Sequence, residues 1–116
     1  MKPEQFIREF GVEKAREVVE GHSKAYMPEL FKYWSEDLND YVLAPKYASF
    51  LVEDLKRLVE SLDRVTQRGG LSKTKDHLDY LISFGSEFAG VSKEEIKELQ
   101  QDVAVHESIY GGGDDL

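Results

Sequence analysis

Between Leu51 and Val65 the chain carries apolar residues at Leu51, Val52, Leu55, Leu58, Val59, Leu62 and Val65, with no Gly or Pro among them. Steps of three, four and seven lay these side chains along one stripe of a helix with 3.6 residues per turn. The opposite face holds Glu53, Lys56, Arg57, Glu60, Asp63 and Arg64. Glu53–Arg57 and Glu60–Arg64 stand four apart in the acid-first order that supports a helix. Gly69-Gly70 then ends the run, because glycine takes the left-handed conformation of a helix C-terminus without a Cβ penalty. Ser72 is a candidate N-cap for a second helix whose apolar positions are Leu71, Leu78, Leu81 and Ile82. A helix, a glycine turn and a second helix are therefore expected over residues 50–84.

The flanks extend this helical plan. Pro3 suits a first turn, and Phe6, Ile7 and Phe10 share a face. Gly11 divides this segment from a second short helix with Val12, Ala15, Val18 and Val19 inside, closed by Gly21. Near the other end, Ser92-Lys93-Glu94-Glu95 has the form of a capping box, and Val91 and Ile96 suit a hydrophobic staple. Leu99, Val103, His106 and Tyr110 continue the inner face of that helix, and Gly111-Gly112-Gly113 stops it. Residues 22–47 fit two patterns. Leu30, Phe31, Trp34, Leu38, Tyr41 and Val42 recur at helical spacing, which is the preferred reading, with Pro28 as a possible first helical residue. Phe31, Tyr33, Trp34, Tyr41 and Val42 also suit a short β-hairpin turning at Asn39-Asp40. Pro45 makes Ala44 extended and marks a boundary. The expected fold class is mainly α: four or five helices around a central helical hairpin, in a single domain over residues 1–110, with 111–116 a flexible acidic tail.

The net charge is −8, of which −6 falls in residues 87–116. An acidic chain is poorly suited to general nucleic-acid binding, which draws on excess Lys and Arg. It is compatible with a partner that is itself basic or binds nucleic acid. No apolar run reaches the roughly 18 residues of a membrane span, so no membrane partner is expected. The N-terminal stretch lacks the apolar core of a signal peptide, and the absence of cysteine removes disulfide and thiolate chemistry. A soluble intracellular protein is the simplest expectation.

Catalytic patterns are sparse. Asp102 and His106 lie four apart, and His77 is close to Asp76 and Asp79, but no HExxH, EF-hand loop or Cys cluster completes a metal site. Gly21-His22-Ser23 places a base beside a hydroxyl, yet adjacent residues seldom meet in a productive geometry. The glycine clusters match neither a phosphate-binding loop nor a dinucleotide fingerprint. No enzyme activity, metal or cofactor is expected. Two segments are candidates for binding. Glu94, Glu98 and Asp102 form an acid row with a step of about 6 Å along one side of the last helix, suited to a basic protein. Tyr33 and Trp34 belong to an aromatic surplus of the kind that anchors protein interfaces. As the alternative, Arg64, Arg68, Lys73 and Lys75, with no acid between Arg64 and Lys75, form a helix-turn-helix-like basic segment that can meet a phosphate backbone.

At FIREFGVEKAREVVEG (6–21) and DLKRLVESLDRVTQRGG (54–70) the chain resembles small accessory proteins of lambdoid bacteriophages and prophages of enterobacteria. The resemblance covers about a third of the chain and includes no catalytic residue. It implies cytoplasmic expression in an infected bacterium and a non-enzymatic protein that binds a host or phage protein. Inhibition of a host defence or nucleic-acid-processing factor is one form such binding takes. The alternative expectation is a small DNA-binding regulator using residues 64–75.

Overall fold

The computed structural model describes residues 1–84 and 93–111. The chain is mainly helical with a small antiparallel sheet. Its contacts group it into two compact units, 1–59 and 60–116. Helix α3 (Val52–Gln67) runs from the first into the second.

In the first unit, α1 (Pro3–Phe10) and α2 (Val12–Ser23) meet at Gly11, whose φ of 91° breaks the helix as the sequence leads one to expect. Helix α2 continues through Gly21 to Ser23 rather than stopping at the glycine. A Cβ on Gly21 would lie 2.6 Å from the Tyr41 hydroxyl. The glycine is there because a tyrosine lies against the helix, not because the helix ends.

Residues 22–47 do not form the preferred helix. Pro28 lies in a turn, and strands β1 (Tyr33–Ser35) and β2 (Asp40–Val42) pair antiparallel. The connection is a four-residue turn, 36–39, in which Asn39 has a φ of 51°. Asn tolerates this left-handed conformation better than most residues, and it fits a hairpin, not a helix interior. After a 3-10 turn at Pro45–Tyr47, β3 (Phe50–Leu51) pairs with the other edge of β1. Trp34 stands opposite both Tyr41 and Phe50. Cross-strand partners project to the same face of a sheet. That face meets the first two helices: Phe50 packs edge-on against Phe6 at 5.3 Å, and Tyr41 donates to the Val18 carbonyl. Aromatic residues at helical spacing thus bury themselves as a strand pair, because α1 and α2 supply an apolar wall.

In the second unit, the end of α3 closes on Gly69 and Gly70, with φ of 100° and 107° and a Gly70 N–H to Val65 carbonyl bond of 3.0 Å. This is the expected glycine closure. The next helix, α4 (Leu71–Phe84), starts one residue before Ser72, so Ser72 is not its N-cap. Its first backbone bond runs from Thr74 N–H to the Gly70 carbonyl. Buried Thr74 and Leu81 form its inner line, while Ile82, assigned inward by periodicity, is exposed. Helix α5 (Lys93–Tyr110) packs chiefly with α4. It buries Leu99, Asp102, Val103 and Ile109 and leaves Tyr110 exposed. Ser92 and Val91 of the expected capping box, and residues 112–116 of the expected tail, lie outside the described residues.

Candidate protein-binding surface

The acid row expected on α5 is not a row. Asp102 is fully buried, with 0% of its surface exposed. Ser61 Oγ donates to its Oδ1 at 2.6 Å. Arg64 grips both oxygens, Nε to Oδ2 at 2.9 Å and Nη2 to Oδ1 at 2.8 Å. Arg68 Nη1 adds a bond to Oδ2 at 3.0 Å. Burial alone would raise the carboxyl pKa, but the hydrogen bonds from Arg64, Ser61 and Arg68 outweigh it and hold Asp102 below the usual carboxylate range. Bonding to Asp102 pushes the Arg64 guanidinium up, against its own desolvation. Glu98 lies 3.5 Å from both arginines. Only Glu94 of the three acids is exposed without a role in this cluster.

The basic segment is drawn into the same contacts. Arg64 and Arg68 face Asp102 and Glu98, and Lys75 Nζ pairs with Glu107 at 2.9 Å. Lys73 is exposed and lies beside Gly69. Of the four cations considered for phosphate contact, three thus neutralise carboxylates within residues 60–111. A sequence signal for this pairing exists. Asp102 falls inside the apolar arc of Leu99, Val103 and His106, and an acid buried there needs cations; Arg64 and Arg68 are four apart on one helix and can share it.

The aromatic pair divides as well. Trp34 is 5% exposed and belongs to the core of the first unit, with its Nε1–H donated to Glu36 Oε2 at 3.1 Å. Tyr33 is half-buried. Exposed apolar side chains occur before, between and after β1 and β2. Tyr26, Met27, Leu30, Leu38, Leu43 and Tyr47 are six of the twelve large apolar residues exposed in the described chain, all within 26–47. Tyr26 is 80% exposed, Leu38 60% and Tyr47 57%.

Two concavities open among them. A groove of about 530 Å³ runs between the hairpin turn and the 3-10 turn, lined by Met1, Ser35–Leu38 and Lys46–Ser49. Its shape is held by Ser49 Oγ, which accepts the Glu36 N–H at 3.0 Å, and by Ser35 Oγ, which accepts the Leu38 N–H at 3.3 Å. Lys46 Nζ lies 5.0 Å from the Tyr47 ring centre. A smaller pocket of about 170 Å³ is lined by Ala25, Tyr26, Phe31, Asp40 and Tyr41. Apolar side chains around concavities with a few fixed polar groups are what a protein contact uses.

No family model matches the chain, and no curated protein or solved structure matches it. Among the described residues no group of three His, Cys, Asp or Glu is placed to hold a metal ion, and no helix is long and apolar enough to cross a membrane.

Proposed function

We propose that the chain is a non-enzymatic accessory protein of the phage type that binds a host or phage protein through the 26–47 face of its first unit. The observation that carries this reading is that six large exposed apolar residues fall within 26–47, and three of them line concavities: Leu38 and Tyr47 beside Glu36 and Asp37, and Tyr26 beside Asp40. Exposed apolar side chains beside concavities with polar borders are the kind of surface that protein contacts use. The acids beside it, and the net charge of −8, favour a basic partner, including one that itself binds nucleic acid. On the resemblance of residues 6–21 and 54–70 to lambdoid phage accessory proteins, the partner in this reading is a protein of an enterobacterial cell, and inhibition of a defence or nucleic-acid-processing factor is one form that such binding would take. Direct DNA binding through residues 64–75 has less support, since Arg64, Arg68 and Lys75 already face carboxylates.

The test is affinity capture from an enterobacterial lysate with the full chain and with a Leu38→Ser/Tyr47→Ser variant, read by mass spectrometry. A protein retained by the wild type and lost from the folded variant is the expected result. Retention of the same proteins by both, or of none by either, overturns the reading.

A further inference from the structure

We propose that the small pocket at Tyr26, Phe31, Tyr41 and Asp40 receives one arginine side chain of a protein partner. Three aromatic residues, an aspartate and Ala25 line a space of about 170 Å³. Pockets for drug-sized ligands or cofactors usually run from about 300 to 1,000 Å³, so this one suits the end of a single side chain. Its chemistry selects a cation. Ring faces carry negative quadrupole density and attract an ammonium or a guanidinium. A planar guanidinium can also stack on a ring while its edge donates to a carboxylate, which an ammonium cannot do in the same way.

The walls are set before any ligand arrives. Tyr41 is held by its hydroxyl on the Val18 carbonyl and by edge contact with Trp34 at 5.2 Å. Phe31 is fixed through its carbonyl, 2.9 Å from His22 Nε2, and the His22 ring packs on Tyr41 at 5.4 Å. Asp40 Oδ1 accepts the Tyr41 N–H at 2.7 Å, which orients the carboxylate, and no hydrogen bond to Oδ2 is formed among the described residues. Tyr26 stands at the mouth, largely exposed, next to Met27, whose φ of 47° is unusual for a side chain of that size. A guanidinium in the pocket would cover Tyr26 and pair with Asp40 Oδ2.

The inference rests on the reading of the chain as a protein-binding module, but its test needs no partner. Blocked tripeptides Ac-Gly-Xaa-Gly-amide, with Xaa arginine, lysine or citrulline, are titrated into the full chain, and the ring resonances of Tyr26, Phe31 and Tyr41 are followed by NMR. The arginine peptide should shift them saturably, the lysine peptide should bind more weakly, and citrulline, which keeps the shape and loses the charge, should not bind. Asp40→Asn keeps an acceptor for the Tyr41 N–H and should weaken arginine binding roughly tenfold, the scale of one charge-assisted hydrogen bond. Tyr26→Ala should weaken it by about threefold, as for a cation–π contact at an exposed site. Both residues are exposed, so both variants should fold. Absence of saturable shifts, equal binding of citrulline or lysine, or undiminished binding by Asp40→Asn overturns the proposal. Such a failure removes the pocket while leaving the lysate capture to decide the wider reading.

Discussion

Residues 60–111 and residues 1–59 contain similar kinds of side chain and use them differently. In the second unit, a carboxylate from α5 is carried inside and surrounded by Ser61, Arg64 and Arg68. In the first, Glu36, Asp37 and Asp40 stay at the rim of concavities beside exposed rings. Charge turned inward fixes how helices meet, because an unpaired buried carboxylate is too costly to tolerate. Charge left at the surface next to apolar groups is available to a partner. Two acidic segments that read alike in sequence therefore differ in what can be expected of them: Asp102 is a packing residue, and Asp40 is a binding candidate.

The largest effect that tests this contrast is at Asp102. Replacing it with Ala should cost about 3 kcal/mol, the low end for breaking a buried pair, because Arg64 and Arg68 are partly exposed and can turn to water or Glu98. The pH dependence has a definite sign. The hydrogen bonds from Arg64, Ser61 and Arg68 hold the folded carboxyl below the usual carboxylate range. Its contribution is therefore complete above the unfolded value of about 3.9 and is lost as pH falls through the lower folded value. Urea midpoints of the wild type should drop steeply below about pH 4, and those of Asp102→Ala less so. Equal midpoints for the two proteins at neutral pH would return Asp102 to the surface row and erase the difference between the units.

Much of the helical framework was legible in the sequence, and for a local reason. Gly11, the stripe from Val52 to Val65, and Gly69-Gly70 act through periodicity and backbone freedom within a few residues, whereas Phe50 and Leu51, expected in the same helix, pair with β1 as β3. The hairpin was harder to read. Phe31, Trp34 and Tyr41 stand at helical steps of three and seven, yet aromatic residues also suit strands, and the choice between the two depends on Phe6 and Val18, which lie far away in sequence. Asp102 signals its burial by its place in the apolar arc of α5, but its partners are set by tertiary packing. Arg64 has a good local partner at Glu60, and only tertiary packing sends it to a carboxylate 38 residues on. The candidate binding face was illegible because exposure is what remains after the core has formed. Tyr26 and Trp34 have similar composition signals and opposite fates.

Gly21 offers the next test, within the first unit. Alanine there would bring its Cβ to 2.6 Å from the Tyr41 hydroxyl, and such overpacking costs about 1–3 kcal/mol. The better helix propensity of Ala returns up to about 1 kcal/mol. A net loss of about 1 kcal/mol is expected by thermal or urea unfolding. Tyr41→Phe removes the hydroxyl, so in that background Gly21→Ala should become neutral or stabilising. A double-mutant cycle without such coupling would show that Tyr41 does not lie against α2.

His106 should give a smaller effect in the second unit. Its Nδ1 is buried without a hydrogen-bond partner among the described residues. Burial pushes its pKa below 6.5, aided by Lys75 and opposed by Glu107. The neutral ring is then favoured in the folded state, so stability should fall as pH drops from about 7 to 5. His106→Gln should flatten that limb by a few tenths of a kcal/mol while leaving the steeper loss below pH ~4 to Asp102. Stability that rises on acidification over this range would mean that the ring is held charged, by Glu107 above all.

The exposed rings should also move stability little, and there the contrast between the units is sharpest. Tyr26→Ser removes a side chain that is 80% exposed, so its unfolding midpoint should move by no more than about 0.5 kcal/mol. Tyr47→Ser also loses the contact with Lys46 Nζ, which at an exposed site is worth about 0.5–1 kcal/mol. Neither change approaches the loss expected at Asp102. For a residue kept to hold the fold together, a change that costs nothing in folding is a contradiction. For a residue kept to meet another protein, it is the natural outcome, since its apolar surface is buried only in the complex. Paired measurements of unfolding and of partner capture therefore separate the two roles. Tyr26→Ser and Tyr47→Ser should leave the first nearly unchanged and reduce the second, whereas Asp102→Ala should lower stability and, wherever the protein remains folded, leave capture intact. If the tyrosine variants lose stability on the scale of Asp102→Ala, the exposed face is part of the fold and its assignment as a binding surface fails.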